Sequence, residues 1–274
     1  MKDETCLPLQ QHPHYAAALA SIGCAMRTVQ LPGAAPVQAI RRFGLTCAMR
    51  GPIWHGPPDP DGARALRRSG LRVINSDGHD RATLRAAGFA QAHTPAYVAE
   101  LSLDGSPQDR RARMVGKWRN ALRRAESAPF QIRREVYGNT RHAWLLAADL
   151  RQQRSKGFRS LPHAVLDAYA EQRPKDISVF VARTGGDPIA AMLFVNHGRT
   201  ATYHLGWTSA AGRAFGAHNA VLAQASDYLA RRDIVRLDLG NVDTVNAPGL
   251  ARFKIGTGAN IRPLGGTWVR LPWL

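Results

Sequence analysis

Three β-rich runs, joined by links too short for anything but a reversal, most constrain what this chain can fold into. Ile177–Arg183 (ISVFVAR), Pro188–Asn196 (PIAAMLFVN) and Thr200–Trp207 are separated by Thr184-Gly185-Gly186-Asp187 and by His197-Gly198-Arg199. A parallel crossover needs about a dozen residues or more, so these strands form an antiparallel meander. A Gly-containing loop follows at Thr208–Gly216, and then a helix over Ala217–Arg231. Its Val221, Leu222, Ala225, Tyr228 and Leu229 recur at i, i+3, i+4, i+7 spacing. Val235–Leu239 reads as a buried strand ending in Gly240-Asn241, and Gly266–Leu271 as a last strand. The pattern predicts an α+β fold, a mixed and largely antiparallel sheet flanked by helices. At the loop-to-helix junction, free backbone N–H groups would offer a site for phosphate or carboxylate.

Upstream, turn signals dominate the first hundred residues. Pro13 opens an Ala-rich helix to Ser21, and Thr46–Met49 is a short apolar segment. Gly56–Gly62 (GPPDPDG) is expected to be a loop, because Pro and Gly interrupt helix and strand alike. Ala63–Ser69 reads as a helix, Leu71–Asn75 as a strand, Arg81–Ala87 as a helix closed by Gly88, and Ala96–Leu103 as a strand. Pro107 opens the longest helical stretch, reaching about Ser127, with further helices over Thr140–Lys156 and Pro162–Gln172.

The chain carries 37 Lys and Arg against 20 Asp and Glu, a formal net charge of +17. Between positions 107 and 160 there are 14 Lys and Arg against 4 acids, so this stretch is the basic centre of the molecule. Such a surplus predicts attraction to anionic partners: nucleic acid, nucleotides, phosphorylated metabolites or an acidic lipid surface. Cys6, Cys24 and Cys47 form no CxxC pair, which argues against a disulfide framework or structural metal and fits a reducing cytoplasm. The N-terminal MKDETCLPLQQHPHY lacks the pattern of a secretory signal. No apolar run approaches the roughly 20 residues of a membrane span. The expected location is cytoplasmic, with attachment to an acidic membrane surface left open. Absence of a G-x-S-x-G elbow excludes the common serine-hydrolase arrangement.

Several blocks, in order, resemble the Fem-like branch of the GNAT acyltransferase superfamily, which includes peptidoglycan aminoacyltransferases. They are Met49-Arg50-Gly51-Pro52, Leu84–Phe89 (LRAAGF), Ala99–Ser102 (AELS), Lys117–Ala125 (KWRNALRRA), Tyr203–Gly206 (YHLG), Asp238–Gly240 (DLG) and Arg252-Phe253-Lys254. The resemblance spans roughly residues 40 to 270. It implies two GNAT-like lobes, a truncated first lobe of residues 1–105 and a C-terminal acyltransferase lobe of residues 106–274, and transfer of an acyl or aminoacyl group from an activated donor to an amine. Both aminoacyl-tRNA and acyl-CoA stay open as donor co-substrates, with no tightly bound cofactor and no obligate protein partner. Arg213–His218 (RAFGAH) is similar to the R-x-x-G-x-G/A loop that binds acyl-CoA phosphates, with His at its last position. Arg213, Gly216, Ala217 and His218 are therefore the expected donor-phosphate residues.

Attack of an amine on a carbonyl passes through a tetrahedral oxyanion, and a positioned cation aimed at that oxygen lowers the barrier. The resemblance assigns this place to Lys254. Asp238, at a strand end, is expected to position or deprotonate the amine, or else to cap the Gly240-Asn241 turn. His204 is a candidate base by its near-neutral titration, or a packed histidine of the strand. Arg50, Lys117, Arg119 and Arg123 are candidates for an anionic donor or acceptor, with 119 and 123 sharing a helix face at i, i+4. Tyr203, Asn241 and Arg252, in or beside the same blocks, complete the expected substrate-binding set. Two rival readings use the same charge without catalysis: a GNAT-shaped tRNA or nucleic-acid binding module, and a protein of acidic membrane surfaces.

Overall fold

The computed structural model describes residues 6–58, 60–78, 80–157 and 160–270. Asp59 of the expected Gly56–Gly62 loop, Arg159 of the basic stretch, Leu271 of the expected last strand and the first five residues of the N-terminal reading lie outside them. The chain forms two compact units, residues 1–98 with 262–274 and residues 99–261.

The first unit contains α1 (Pro13–Ser21), β1 (Ala25–Val29), β2 (Val37–Arg42), β3 (Leu45–Met49), α2 (Pro60–Arg68), β4 (Val73–Ser76), α3 (Arg81–Ala86) and β5 (Ala90–His93). The chain continues through β6 (Tyr97–Ser102), α4 (Pro107–Arg113), α5 (Gly116–Glu126), β7 (Gln131–Val136), α6 (Ala143–Lys156) and α7 (His163–Gln172). The meander β8 (Ile177–Thr184), β9 (Asp187–His197) and β10 (Thr200–Thr208) follows, then α8 (Ala210–Phe215), α9 (Ala217–Ala230) and β11 (Arg236–Val242). The last elements are α10 (Pro248–Gly256), β12 (Asn260–Pro263) and β13 (Gly266–Val269).

Two sheets result, β1-β2-β3-β4-β13-β5 and β12-β6-β11-β10-β9-β8-β7. In the first, β13 runs antiparallel to both β4 and β5 and sinks Trp268 into a core of Leu66, Leu71, Ile74 and Leu84. The sequence division at 105/106 takes no account of this return. In the second, β7 to β10 pair antiparallel throughout, as the short links require, while β10 and β11 pair parallel, across the α8–α9 crossover. Phe180, Met192 and Phe194 of the meander pack with Val221, Leu222 and Leu229 of α9, so the apolar stripe read in the sequence is the buried face of that helix.

Three expectations need correction. The single helix over 107–127 is two, because Met114 and Val115 are extended (ψ 144° and 142°). The break sinks Met114 into the core and lets the Val115 N–H donate to the Gly256 carbonyl (3.0 Å). It also leaves Arg110 in the last turn of α4, where its guanidinium donates to the Leu103 and Gly105 carbonyls and to Asp227 (2.6 Å). The expected Gly56–Gly62 loop gives way to helix at Pro60, since proline, lacking an N–H, is suited to a first helical turn. The expected Thr208–Gly216 loop contains α8, started by the Ser209 hydroxyl, which accepts the Gly212 N–H (3.0 Å).

After α10 the chain turns at Gly258, with φ +83°, where a Cβ would stand 2.4 Å from the Arg113 carbonyl oxygen. Gly258→Ala is expected to lower stability by about 1–3 kcal/mol through strain and overlap together. The measurement is the urea midpoint at unchanged m-value.

Candidate active site

The second sheet opens where β10 and β11 part. Their parallel pairing covers Thr200–Thr202 against Arg236–Asp238, and both strands then continue. His204 is the extra residue of a bulge in β10, since Tyr203 pairs with Phe194 and Leu205 with Leu193. Beyond the divergence lies a cavity of about 590 Å³. Tyr203, His204 and Gly206 line it from β10, Leu239 and Gly240 from β11, and Phe253 and Lys254 from α10. Asp149 and Gln152 of α6, Ser160, and the α8–α9 junction complete the wall.

Lys254 stands in the last turn of α10, a helix not foreseen in the sequence, and is only 5% exposed. Its Nζ donates to the Asn241 carbonyl (2.7 Å). Burial pushes its ammonium down to about 8, against the attraction of Asp238. Phe253 beside it packs on Trp118 of α5, with ring centroids 5.8 Å apart. Asp238 is buried within β11, where it accepts the Gly240 N–H (2.7 Å); the strand runs on through Gly240 and Asn241, where a turn was expected, and Asp238 does not line the cavity. Asn241 contributes its backbone carbonyl, while its side chain is exposed.

His204 lines the cavity with its Nε2 buried and unpartnered among the described residues. Burial drives this imidazole down to about 4, with the charge of Asp149 opposing and that of His163 assisting. The ring is therefore neutral near pH 7. Tyr203 is raised above the usual phenol range by burial and by Asp149. Its hydroxyl lies where a Cβ on Gly206 would stand, 2.1 Å away, so only glycine fits at 206.

The α8–α9 junction brings Arg213, Gly216 and His218 to the cavity. Gly216, with φ 68°, ends α8 and begins α9. Arg213 is exposed and donates to the Thr208 carbonyl (3.0 Å). His218 is turned to the Trp207 carbonyl (2.8 Å), and burial lowers its titration. Ala217 is wholly buried. Lys117, Arg119, Arg123 and Arg252 are exposed and do not line the cavity. Arg50, in the first unit, is ion-paired with Asp77, which also binds Arg262 (2.7 Å).

Sequence reasoning missed Asp149, Gln153, Ser160 and His163. Asp149 and Gln153 lie in the middle and second half of α6, Ser160 after it and His163 at the start of α7. Gln153 and His163 reach Asp149 Oδ2 at 2.6 and 2.9 Å, and the Ser160 hydroxyl at 3.4 Å. The i, i+4 spacing of Asp149 and Gln153 was a visible signal, as was an acid isolated in a basic stretch. Among the described residues no group of His, Cys, Asp and Glu could hold a metal ion, and no helix is long and apolar enough to cross a membrane.

The family model of the acetyltransferase (GNAT) domain matches residues 110–254, from within α4 to the lysine at the cavity. No curated protein sequence matches the chain. Among solved structures, FemX is similar with a TM-score of 0.71 at 12% identity, over 95% of this chain and 93% of that one. The C-terminal domain of a putative lysylphosphatidylglycerol synthetase from Agrobacterium fabrum is similar with a TM-score of 0.57 at 14% identity, over 97% and 89%. L-PGS from Bacillus licheniformis gives 0.55 at 14%, over 96% and 93%. The likeness to FemX is in fold and agrees with the Fem-like blocks of the sequence, and this chain belongs to the acetyltransferase (GNAT) domain family.

Proposed function

We propose that this protein transfers an acyl or aminoacyl group from an acyl-CoA or an aminoacyl-tRNA to an amine, with Lys254 holding the oxyanion of the tetrahedral intermediate. The observation that carries the reading is the buried ammonium of Lys254 at a cavity between two diverging strands. In such a site a cation is poorly screened and already oriented, so it acts on developing negative charge more strongly than it would in water. Attack of the amine nitrogen forms the C–N bond. Collapse of the intermediate breaks the C–S bond of a thioester or the C–O bond of a ribose ester, and the leaving thiol or hydroxyl takes up the proton that the amine loses.

The donor is bound along the parted strands. Backbone groups that β10 and β11 do not spend on each other suit the amides of an extended arm, as in strand addition to a sheet edge. Arg213 and the first turn of α9 take its phosphates. The exposed cations of α5 favour an anionic polymer, which supports tRNA as donor and equally supports the second reading, a GNAT-shaped nucleic-acid binding module without catalysis. An acidic membrane surface would meet the same charges. A cytoplasmic location is consistent with Cys6, Cys24 and Cys47 forming no disulfide.

A screen of acyl-CoA thioesters against charged tRNAs, read as the mass gain of an amine panel, tests the reading. Product is expected from one donor class; tRNA binding with a steep salt dependence and no product from any donor would favour the binding module. Lys254→Met is expected to lower kcat/KM by about 10²–10³-fold while circular dichroism shows a retained fold. Turnover should also fall as pH rises past about 8, because Lys254 is charged below that value and neutral above it. A pH–rate profile of kcat/KM that stays flat from pH 7 to 10 would remove Lys254 from the transition state.

A further inference from the structure

The first unit has a basic end. Its β2–β3 hairpin turns through two residues, Phe43 and Gly44, with Arg42 and Leu45 paired across the turn. Ala25 of β1 pairs with Arg41, so the turn from α1 into β1, which holds Ile22, lies at the same end of the sheet. β3 and β4 run parallel with Cys47 opposite Val73, which brings the last turn of α2 and the segment before β4 to that end as well. Arg270 arrives from β13, and its N–H donates to the Arg72 carbonyl (2.9 Å). Arg41, Arg42, Arg67, Arg68, Arg72 and Arg270 thus gather at one end, and the first four are exposed. The acids described in this unit stand elsewhere. Asp77 and Asp80 follow the opposite end of β4, and Asp61 opens α2, paired with Arg64.

The tip of this end is apolar and built against local preference. Both turn residues have positive φ, 50° at Phe43 and 76° at Gly44. A two-residue turn of this kind favours Asn or Gly in its first place, where a bulky side chain is strained. Phe43 stands there instead and is 89% exposed, with the Arg42 guanidinium 5.0 Å from its ring centroid. Leu45 and Ile22 are exposed at the same end. Neither the strain nor the bare ring stabilises the fold in water, so the composition of the tip answers to something outside the chain.

An anionic lipid surface is the partner that such an end fits. An apolar tip flanked by arginines can enter the acyl boundary while the guanidinium groups stay at the phosphates, and the two attractions add. The contact with the ring keeps the Arg42 charge partnered as the ring leaves water. A nucleic acid would match the charge and could stack on one ring, but it offers nothing to Leu45 and Ile22. We infer that the β2–β3 hairpin end of the first unit is a docking surface for anionic membranes. Phe43, Leu45 and Ile22 enter the interface, and Arg41 and Arg42 bind lipid phosphates. The surface uses none of the α5 cations and does not depend on the transferase reading.

Flotation of the full chain with vesicles tests this, comparing phosphatidylcholine alone with phosphatidylcholine and phosphatidylglycerol in equal parts. Binding is expected to the mixed vesicles only, and to weaken as salt rises. Phe43→Asn exchanges the ring for a residue that suits the turn. It is expected to raise the urea midpoint and yet weaken vesicle binding about tenfold, a pairing that a purely structural role would not produce. Arg41→Gln together with Arg42→Gln is expected to weaken binding by about tenfold or more. Phe43→Trp is expected to keep binding and to add tryptophan emission that brominated acyl chains quench. No binding to the mixed vesicles, wild-type binding by Phe43→Asn, or added emission that brominated chains leave untouched would each overturn the inference. So would a Phe43→Asn chain that loses affinity for a single-stranded oligouridylate and keeps its vesicle binding, which would assign the tip to RNA. No acyl donor enters these measurements, so their failure and that of the transferase reading are told apart.

Discussion

The parallel pairing of β10 with β11 stops after three residues on each strand, and the candidate site depends on that stop. Had the ladder continued, the backbone groups of both strands would have been spent on one another and the cavity closed. Local features of β10 keep the strands apart. The bulge at His204 shifts its register, and the Tyr203 hydroxyl occupies the space over Gly206. The core behind the meander, from Phe180 to Leu229, is tightly packed, so the opening is a feature of strand geometry and not of loose packing.

Around that opening the protein holds opposite charges at low exposure on separate elements. Lys254 comes from α10 and leans on the Asn241 carbonyl; Asp149 comes from α6 and is held by its neighbours across the turn into α7. Each would be costly to bury alone, and each is compensated by hydrogen bonds that leave part of its capacity unused. His204, at the same cavity, is kept neutral by burial.

Much of the fold was legible. Links of three and four residues dictate antiparallel pairing, and the stripe of Val221, Leu222, Ala225 and Leu229 dictates which side of α9 is buried. The break at Met114–Val115 was not legible, because nothing local ends a helix there; the Gly256 carbonyl that accepts the Val115 N–H lies far along the chain. Lys254 was reached through family resemblance, and its helix and burial were not. Arg50 illustrates the opposite case. A guanidinium in a recognisable block looks like a binding residue until Asp77 is found beside it.

By itself the sequence determined the reversal of β8, β9 and β10, the amphipathic crossover helix and the excess of positive charge, because each follows from spacing or composition within a short stretch. Tertiary structure alone decided which charges are buried, where β13 pairs, and that Asp149, His204 and Lys254 share one cavity. Burial and proximity are properties of what lies across a gap from a residue, and the groups across that gap come from parts of the chain whose local patterns carry no record of one another.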